Sequence, residues 1–426
     1  MNYEEAVQWI HAREKFKIKP GLKRMEWMMD RLNHPEEQIK AVHVAGTNGK
    51  GSTVSFLRNI LEGQGLSVGT FTSPYIETFN ERISVNGRPI ADEELAEVVD
   101  RIRPLSEELK HTSLGEPTEF EVITAAALLH FSRLDLDYVL METGLGGTYD
   151  STNIIRPVLS VITNIGHDHM NILGSTIGEI AGEKAGIIKQ GVPLVTGASQ
   201  QEAAAVLAEK AAECHSPVFW YGKDFHADHL TSDAGRETFR FISESFVSPA
   251  WKSSMLGPHQ VTNASLAIQA AEVLRHRGAP LERQRYGGAI EKTSWPGRFE
   301  TIRHKPLTIV DGAHNEEGTG ALVETVKRHY SDRRIILVYA ALEDKPVEKM
   351  LHKLKEVVDV LFVTTFDFPR ALSAEDLEEL SPVPHTEAVP DYKTAVRKAS
   401  AQVGDDDVVL ISGSLYFISA IRTFLK

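Results

Sequence analysis

Seven consecutive residues, Gly46-Thr47-Asn48-Gly49-Lys50-Gly51-Ser52, have the makings of a phosphate-binding loop. Glycines let backbone N–H groups turn inward onto phosphate oxygens. A following helix adds aligned N–H dipoles, and Lys50 adds a point charge. Ser52 or Thr53 could offer a hydroxyl near a metal ion. The string departs from the usual G-x-x-x-x-G-K-[ST] pattern. Val44 stands where the first glycine belongs, and Gly51 separates lysine from serine. It reads as a shortened variant; the plainer alternative is a glycine-rich turn with a solvent-facing lysine.

Three further groups could do chemistry beside such a loop. Glu142 closes the apolar run Tyr138-Val139-Leu140-Met141 and precedes Thr143-Gly144-Leu145-Gly146-Gly147 and Asp150. A carboxylate at the carboxyl end of a parallel strand lies where ligands bind in such sheets. Magnesium, a hard cation, often takes one or two carboxylates together with phosphate. The string Thr163-Asn164-Ile165-Gly166-His167-Asp168-His169 closes another apolar run. Two histidines at i and i+2 would suit zinc only with further ligands, and no cysteines accompany them. Lys184 stands in a helical pattern, Glu179 to Ile188, among small and apolar neighbours. A surface lysine is the plainer reading; one tucked against a metal site would be neutral or modified, because a bare ammonium beside magnesium is repelled.

The elements that must position these groups alternate. Amphipathic helical segments open the chain at Tyr3–Ala12 and Leu22–Leu32. Short strand-like runs follow at Ala41–Ala45, Val68–Phe71, Tyr138–Met141, Val158–Thr163 and Val192–Val195, with helical stretches between them, one from Ser52 to Glu62. Such alternation predicts a mostly parallel sheet covered on both faces. Phe225 to Trp251 is polar, aromatic and weakly alternating, which suits a small antiparallel excursion. Helices are expected at Val261–Arg277 and Leu281–Ala289, and Pro296-Gly297 marks a turn or linker. Strand-like runs recur at Leu307–Val310, Ile335–Tyr339, Val360–Val363 and Val408–Ile411. The reading is two α/β domains, residues 1–296 and a smaller 297–426.

Composition narrows the function. The 426 residues carry 46 Lys plus Arg against 59 Asp plus Glu, a net charge of −13. That argues against nucleic-acid binding, which needs a basic face. The single Cys214 excludes an intramolecular disulfide and any multi-cysteine zinc site. The start Met1-Asn2-Tyr3-Glu4-Glu5 has no signal-peptide character, and the longest apolar-leaning stretch, Val408 to Ile421, is too short for a membrane span. A cytoplasmic, membrane-free protein is expected.

Taken together, the motifs resemble the folylpolyglutamate synthase / dihydrofolate synthase family, relatives of the Mur ligases. The resemblance rests on Gly46–Ser52, on Met141–Gly147 with Asp150, and on the strings around Asp168-His169 and Glu183-Lys184-Ala185-Gly186. Trp295-Pro296-Gly297-Arg298-Phe299-Glu300 and Asp311-Gly312-Ala313-His314-Asn315 complete it, all in the family order. It implies a Mur-ligase-like fold: a P-loop ATPase domain with a mostly parallel sheet, then a smaller Rossmann-like domain on the glutamate side of an interdomain cleft. It also implies ATP, two magnesium ions, a carbamylated Lys184 and room for a monovalent cation. Gly46, Thr47, Asn48, Gly49, Lys50, Gly51, Ser52, Asn263, Arg298 and Asp311 would bind the nucleotide. Ser73, Glu142 and His169 would hold metal, with His167 an open alternative; Lys50, Lys184 and His314 would act in catalysis. Tyr75, Arg82, Thr118, Phe120 and Asp150 would face folate.

The implied reaction is addition of L-glutamate to the γ-carboxylate of a reduced folate through an acyl phosphate, with dihydropteroate as a second acceptor. A monomer acting on small molecules is expected. Two rivals stand beside this reading: a Mur-type peptidoglycan amino-acid ligase and a nucleotide-hydrolysing switch. The 45 residues before Gly46 are too few for the nucleotide-sugar domain of the first. One departure concerns the second domain, where Glu316 follows the Asp-Gly-Ala-His-Asn string in place of the family's frequent proline.

Overall fold

A computed structural model describes residues 1–13, 21–233 and 235–425. They form two compact units: Met1–His226 with Phe241–Val247 and Thr262–Ile290, and Ala227–Arg240 with Ser248–Val261 and Glu291–Lys426.

The first unit is built on eight strands: β1 (Ala41–Ala45), β2 (Val68–Phe71), β3 (Ile83–Val85), β4 (Arg88–Pro89), β5 (Tyr138–Glu142), β6 (Leu159–Ile162), β7 (Leu194–Thr196) and β8 (Val218–Trp220). Their order is β4-β3-β2-β5-β1-β6-β7-β8, parallel from β2 to β8, with β3 and β4 antiparallel at one edge. All five residues of β1 are buried, as a strand covered on both faces requires. The helix Lys50–Glu62 packs on this sheet through Val54, Phe56, Leu57, Ile60 and Leu61, all essentially inaccessible. Burying each such side chain contributes about 1.5–3 kcal/mol before chain entropy is counted.

Four further strands follow in the chain, β9 (Phe225–Asp233), β10 (Arg236–Ser243), β11 (Phe246–Val247) and β12 (Trp251–Ser253); β10 pairs with β9 and runs antiparallel to β11 and β12. This is the excursion expected over residues 225–251.

The second unit holds a six-stranded sheet: β13 (Glu300–His304), β14 (Leu307–Val310), β15 (Ile335–Tyr339), β16 (Val360–Thr365), β17 (Thr386–Asp391) and β18 (Val408–Ser412). The order is β13-β14-β18-β15-β16-β17, parallel except for β13. Successive residues of β15 enter opposite cores: Ile335, Leu337 and Tyr339 one, Ile336 and Val338 the other. Period-two alternation between two apolar layers is the signature of a sheet covered on both sides.

Several boundaries differ from the sequence reading. The helix after the glycine loop begins at Lys50, not Ser52, because Gly49 takes φ 82° and the chain turns helical at once. The segment carrying Lys184 is helical only over Ile177–Ala185. Leu281–Ala289 is instead a 3-10 turn at Arg283–Arg285 followed by a helix at Tyr286–Lys292. The strands β3, β4, β8, β13 and β17 carry no continuous buried apolar run, which is what concealed them. Among the described residues no helix is long and apolar enough to cross a membrane.

Candidate active site

In the first unit the groups singled out above collect at the carboxyl ends of adjacent strands. The order β2-β5-β1-β6 places Ser73, Glu142, the glycine loop and Asn164 side by side at the strand ends. That is where open α/β sheets bind ligands.

The loop is fixed by its neighbour after β6. Asn164 O accepts from Thr47 N at 3.1 Å, and Asn164 Oδ1 accepts from Asn48 N at 2.8 Å. Thr163 Oγ1 donates to Asn48 O at 2.6 Å, and Thr47 Oγ1 donates to Gly166 O at 3.1 Å. Two glycines are demanded by contact. A Cβ on Gly46 (φ 150°) would lie 1.8 Å from Thr163 Oγ1, and one on Gly49 (φ 82°) would lie 2.3 Å from Asn263 Oδ1. Asn263, on the helix Pro258–His276, is therefore brought against the loop. Lys50 Nζ donates to Gly46 O at 3.0 Å and lies 4.0 Å from Glu142 Oε1.

Glu142 is 4% exposed, and its Oε2 accepts from Ser73 N at 3.4 Å. Ser52 Oγ and Thr53 Oγ1 are buried hydroxyls with no protein partner. Orphaned buried hydroxyls beside a carboxylate and a lysine fit a site for a hydrated magnesium ion with phosphate, which asks for oxygen ligands and few carboxylates. His169 takes φ 51° just before the short helix Met170–Leu173, and Asp168 Oδ1 accepts from its backbone N at 2.8 Å. Both His167 and His169 are exposed, so burial does not separate them.

Lys184 is buried, 3% exposed. Burial, then the charge of Lys50, lowers its pKa to about 7, against the opposing pull of Asp168, Asp150 and Glu183. Gly147 packs so closely on its helix that a Cβ would sit 2.7 Å from Glu183 O. The loop after Glu142 and the Lys184 helix are thus locked together.

The proposed folate residues form two linked groups. The Arg82 guanidinium lies 5.2 Å from the Tyr75 ring centroid and 5.5 Å from that of Phe79, with Glu119 Oε1 4.0 Å from Arg82 Nη2. Thr118 caps the helix Glu119–Phe131, accepting from Glu121 N at 3.2 Å. The Phe120 ring lies over Gly144, where a Cβ would come within 2.5 Å of its Cζ. Asp150 is buried, with Oδ2 accepting from Leu145 N at 2.8 Å. Sequence reasoning missed Phe79 and Glu119, and it quoted Thr163 and Asn164 only as the end of a strand-like run. The acidic and aromatic run Thr118-Glu119-Phe120-Glu121 was the available signal for Glu119.

In the second unit, Arg298, Asp311 and His314 converge. Asp311 accepts from Phe299 N at 2.8 Å and from Ala313 N at 2.9 Å, tying the Pro296-Gly297 turn to the end of β14. Arg298 Nη1 would lie 2.6 Å from a Cβ on Gly312. His314 Nδ1 lies 2.8 Å from Gly312 O, a carbonyl that can only accept, so Nδ1 is the donor in this contact. Glu316 is the first residue of the helix Glu316–His329, with Asn315 capping it at 2.8 Å from Gly318 N. Proline suits that first helical position, and so does an acid facing the helix dipole, so the turn survives the exchange. His259 was missed. Its Nδ1 is buried without a partner, and burial, opposed first by the charge of Asp311, depresses its pKa.

Comparison with known proteins defines the class first. Residues 44–271 match the model of the Mur ligase middle domain, and residues 297–415 that of the Mur ligase glutamate ligase domain. The chain is 48% identical over 430 residues to the dihydrofolate synthase/folylpolyglutamate synthase of Bacillus subtilis (strain 168), covering 100% of this chain and 99% of that one. The folylpolyglutamate synthase of Lacticaseibacillus casei is 35% identical over 428 residues, at 100% and 99% coverage. Among solved structures, the Mycobacterium tuberculosis folylpolyglutamate synthase complexed with ADP superposes with a TM-score of 0.94 at 28% identity, covering 99% of this chain and 98% of that one. A folylpolyglutamate synthase complex with AMPPCP and folate gives 0.88 at 34% identity, with both chains fully covered. The chain belongs to the folylpolyglutamate synthase / dihydrofolate synthase family of Mur ligases.

Proposed function

We propose that the chain is an ATP-dependent ligase joining L-glutamate to the γ-carboxylate of a reduced folate, with dihydropteroate as a second acceptor. The observation that carries this is the convergence of the glycine loop, Lys50, Glu142 and Ser73 at adjacent strand ends. End-to-end kinship with folate ligases supports the choice of substrate. The protein acts in the cytoplasm as a monomer.

A free carboxylate does not react with an amine at useful rates, so it must be activated. The γ-phosphoryl group of ATP passes to the folate carboxylate oxygen, ADP leaves, and glutamate's amine displaces phosphate from the acyl carbon. The protein's share is positioning and charge neutralisation. With the Thr47 and Asn48 N–H groups engaged by Asn164, the other N–H groups of the Gly46–Ser52 loop and the Lys50 ammonium hold the phosphates. Asn263, Arg298 and Asp311 serve the nucleotide, and His314 assists the transfer. Magnesium, when bound, neutralises phosphate charge, and Ser73, Glu142 and His169 would hold it. Tyr75, Arg82, Thr118, Phe120 and Asp150 receive the pterin and benzoate portions of the acceptor.

Lys184 is poised for modification. With a pKa of about 7, its free amine is abundant at neutral pH. Attack of that amine on carbon dioxide, with loss of a proton from nitrogen, gives a carbamate anion in place of a cation. An anion there removes the repulsion with Lys50.

The test is glutamate incorporation with tetrahydrofolate and with dihydropteroate, side by side, while ADP release is followed. ADP release that requires both a folate-type acceptor and glutamate is expected. ADP release without an acceptor would indicate a nucleotide switch, and incorporation into a nucleotide-sugar peptide precursor would indicate a peptidoglycan ligase.

A further inference from the structure

His43 is the third residue of β1, in the run Ala-Val-His-Val-Ala, and is fully inaccessible to solvent. An imidazole in that place is costly. Its Nδ1 is buried with no hydrogen-bond partner, whereas valine or leucine would leave no polar atom to desolvate. The other nitrogen is engaged. Nε2 lies 2.8 Å from Thr152 Oγ1, and Thr152 Oγ1 in turn donates to Asp150 Oδ1.

The direction of this chain follows from hydrogen-bond arithmetic. Asp150 Oδ1 also accepts from Thr152 N at 3.0 Å and Oδ2 from Leu145 N at 2.8 Å, with the Gly144 backbone a further donor. Burial raises the Asp150 pKa and these donors, Thr152 first, pull it back; among so many donors the carboxyl group serves as an acceptor, so the Thr152 hydroxyl proton points to Asp150. The hydroxyl oxygen must then receive a proton from His43, which puts that proton on Nε2 and leaves Nδ1 bare. The orphaned Nδ1 is thus the counterpart of the relay.

We infer that His43 and Thr152 are positioning residues that hold the Asp150 carboxylate, and through it the Gly144–Gly147 loop under Phe120, in the conformation that receives the folate acceptor. The inference rests on the reading of Asp150 and Phe120 as folate-side residues. The relay runs from β1, a buried inner strand of the sheet, to the loop that follows Glu142. Burial holds the imidazole's pKa near about 3, so the ring stays neutral throughout the working range and donates a constant proton.

The experiment is steady-state kinetics of the full-length enzyme, varying acceptor, ATP and glutamate in turn, with Thr152→Val, Thr152→Ser and Asp150→Asn. Loss of a hydrogen bond to a charged group should raise the acceptor KM about tenfold in Thr152→Val. The KM values for ATP and glutamate should stay within about twofold, since removing one interaction from a single subsite leaves other subsites intact. Thr152→Ser, which keeps the hydroxyl, should restore the acceptor KM, and Thr152→Val in an Asp150→Asn background should add little. An unchanged acceptor KM in Thr152→Val, or a parallel rise in all three KM values, overturns the relay. An acceptor KM unmoved in Asp150→Asn, in a folded protein, overturns the folate-side reading instead. A second measurement needs no variant: 15N spectra of histidine-labelled enzyme should show His43 protonated on Nε2 alone, and a proton on Nδ1 would overturn the direction of the relay.

Discussion

Replacing Lys184 by methionine should leave the enzyme inactive and more stable. Lys184 is 3% exposed, and its pKa falls from 10.5 to about 7, first because burial disfavours the ammonium and next because Lys50 repels it. The unfolded chain keeps its proton up to 10.5 while the folded one gives it up near 7. The unfolded state therefore binds more protons between these values, and stability rises with pH across that window. At pH 7.5 the penalty is about 4 kcal/mol, and at pH 9.5 about 1.4 kcal/mol, taking about 1.36 kcal/mol for each pH unit below 10.5. Methionine has similar length and no charge, so it escapes the penalty at both values. Urea unfolding of the first unit, followed by hydrogen exchange of β1 and β5 in carbon-dioxide-depleted, nucleotide-free buffer, should show the advantage of Lys184→Met shrinking by about 2.5 kcal/mol from pH 7.5 to 9.5. Glutamate incorporation by this variant should be lost. A Lys184→Met protein no more stable than its parent at pH 7.5, or with an advantage independent of pH, would refute the burial argument. Wild-type turnover would refute the carbamate.

Four other substitutions test three further expectations. Lys50→Ala should abolish ligation without unfolding the protein, because among the described residues Lys50 Nζ bonds loop carbonyls at 3.0 and 3.5 Å and approaches Glu142; circular dichroism with the incorporation assay checks both halves. His169→Ala, and not His167→Ala, should raise the magnesium concentration needed for half-maximal rate, as a magnesium titration of the two variants will show. Glu237→Gln should destabilise the second unit. The Glu237 side chain is fully buried, and although burial alone would raise its pKa, donation from His329, Ser232, Gly257 N and His229 brings it to about 2. A carboxylate so depressed contributes stability above its unfolded pKa that is lost as pH falls towards 2, here about 3 kcal/mol, and the acid-unfolding midpoint of the variant should rise accordingly.

The sequence by itself determined the α/β class, the central strands and the strings that carry chemistry. These are properties of local spacing. Ala41–Ala45 and Ile335–Tyr339 are mostly apolar because both faces of each sheet are covered, and that demand is written into consecutive residues. The glycines at 46 and 49 were legible as a loop, but the reason for them was not. Only the fold brings Thr163 and Asn263, more than a hundred residues away, to within a bond length or two of where their side chains would start. Edge strands such as β13 and β17 stayed hidden because half their residues face water and carry no apolar rhythm. The tertiary structure alone decided the electrostatics. Lys184 has small and apolar neighbours in sequence, yet its depressed pKa comes from burial and from Lys50, 134 positions earlier. His43 looked like one more residue of a strand, and its link through Thr152 to Asp150 exists only once residues 109 apart are packed together. Periodicity is a short-range signal, whereas desolvation and hydrogen-bond direction depend on which distant groups exclude water from a site.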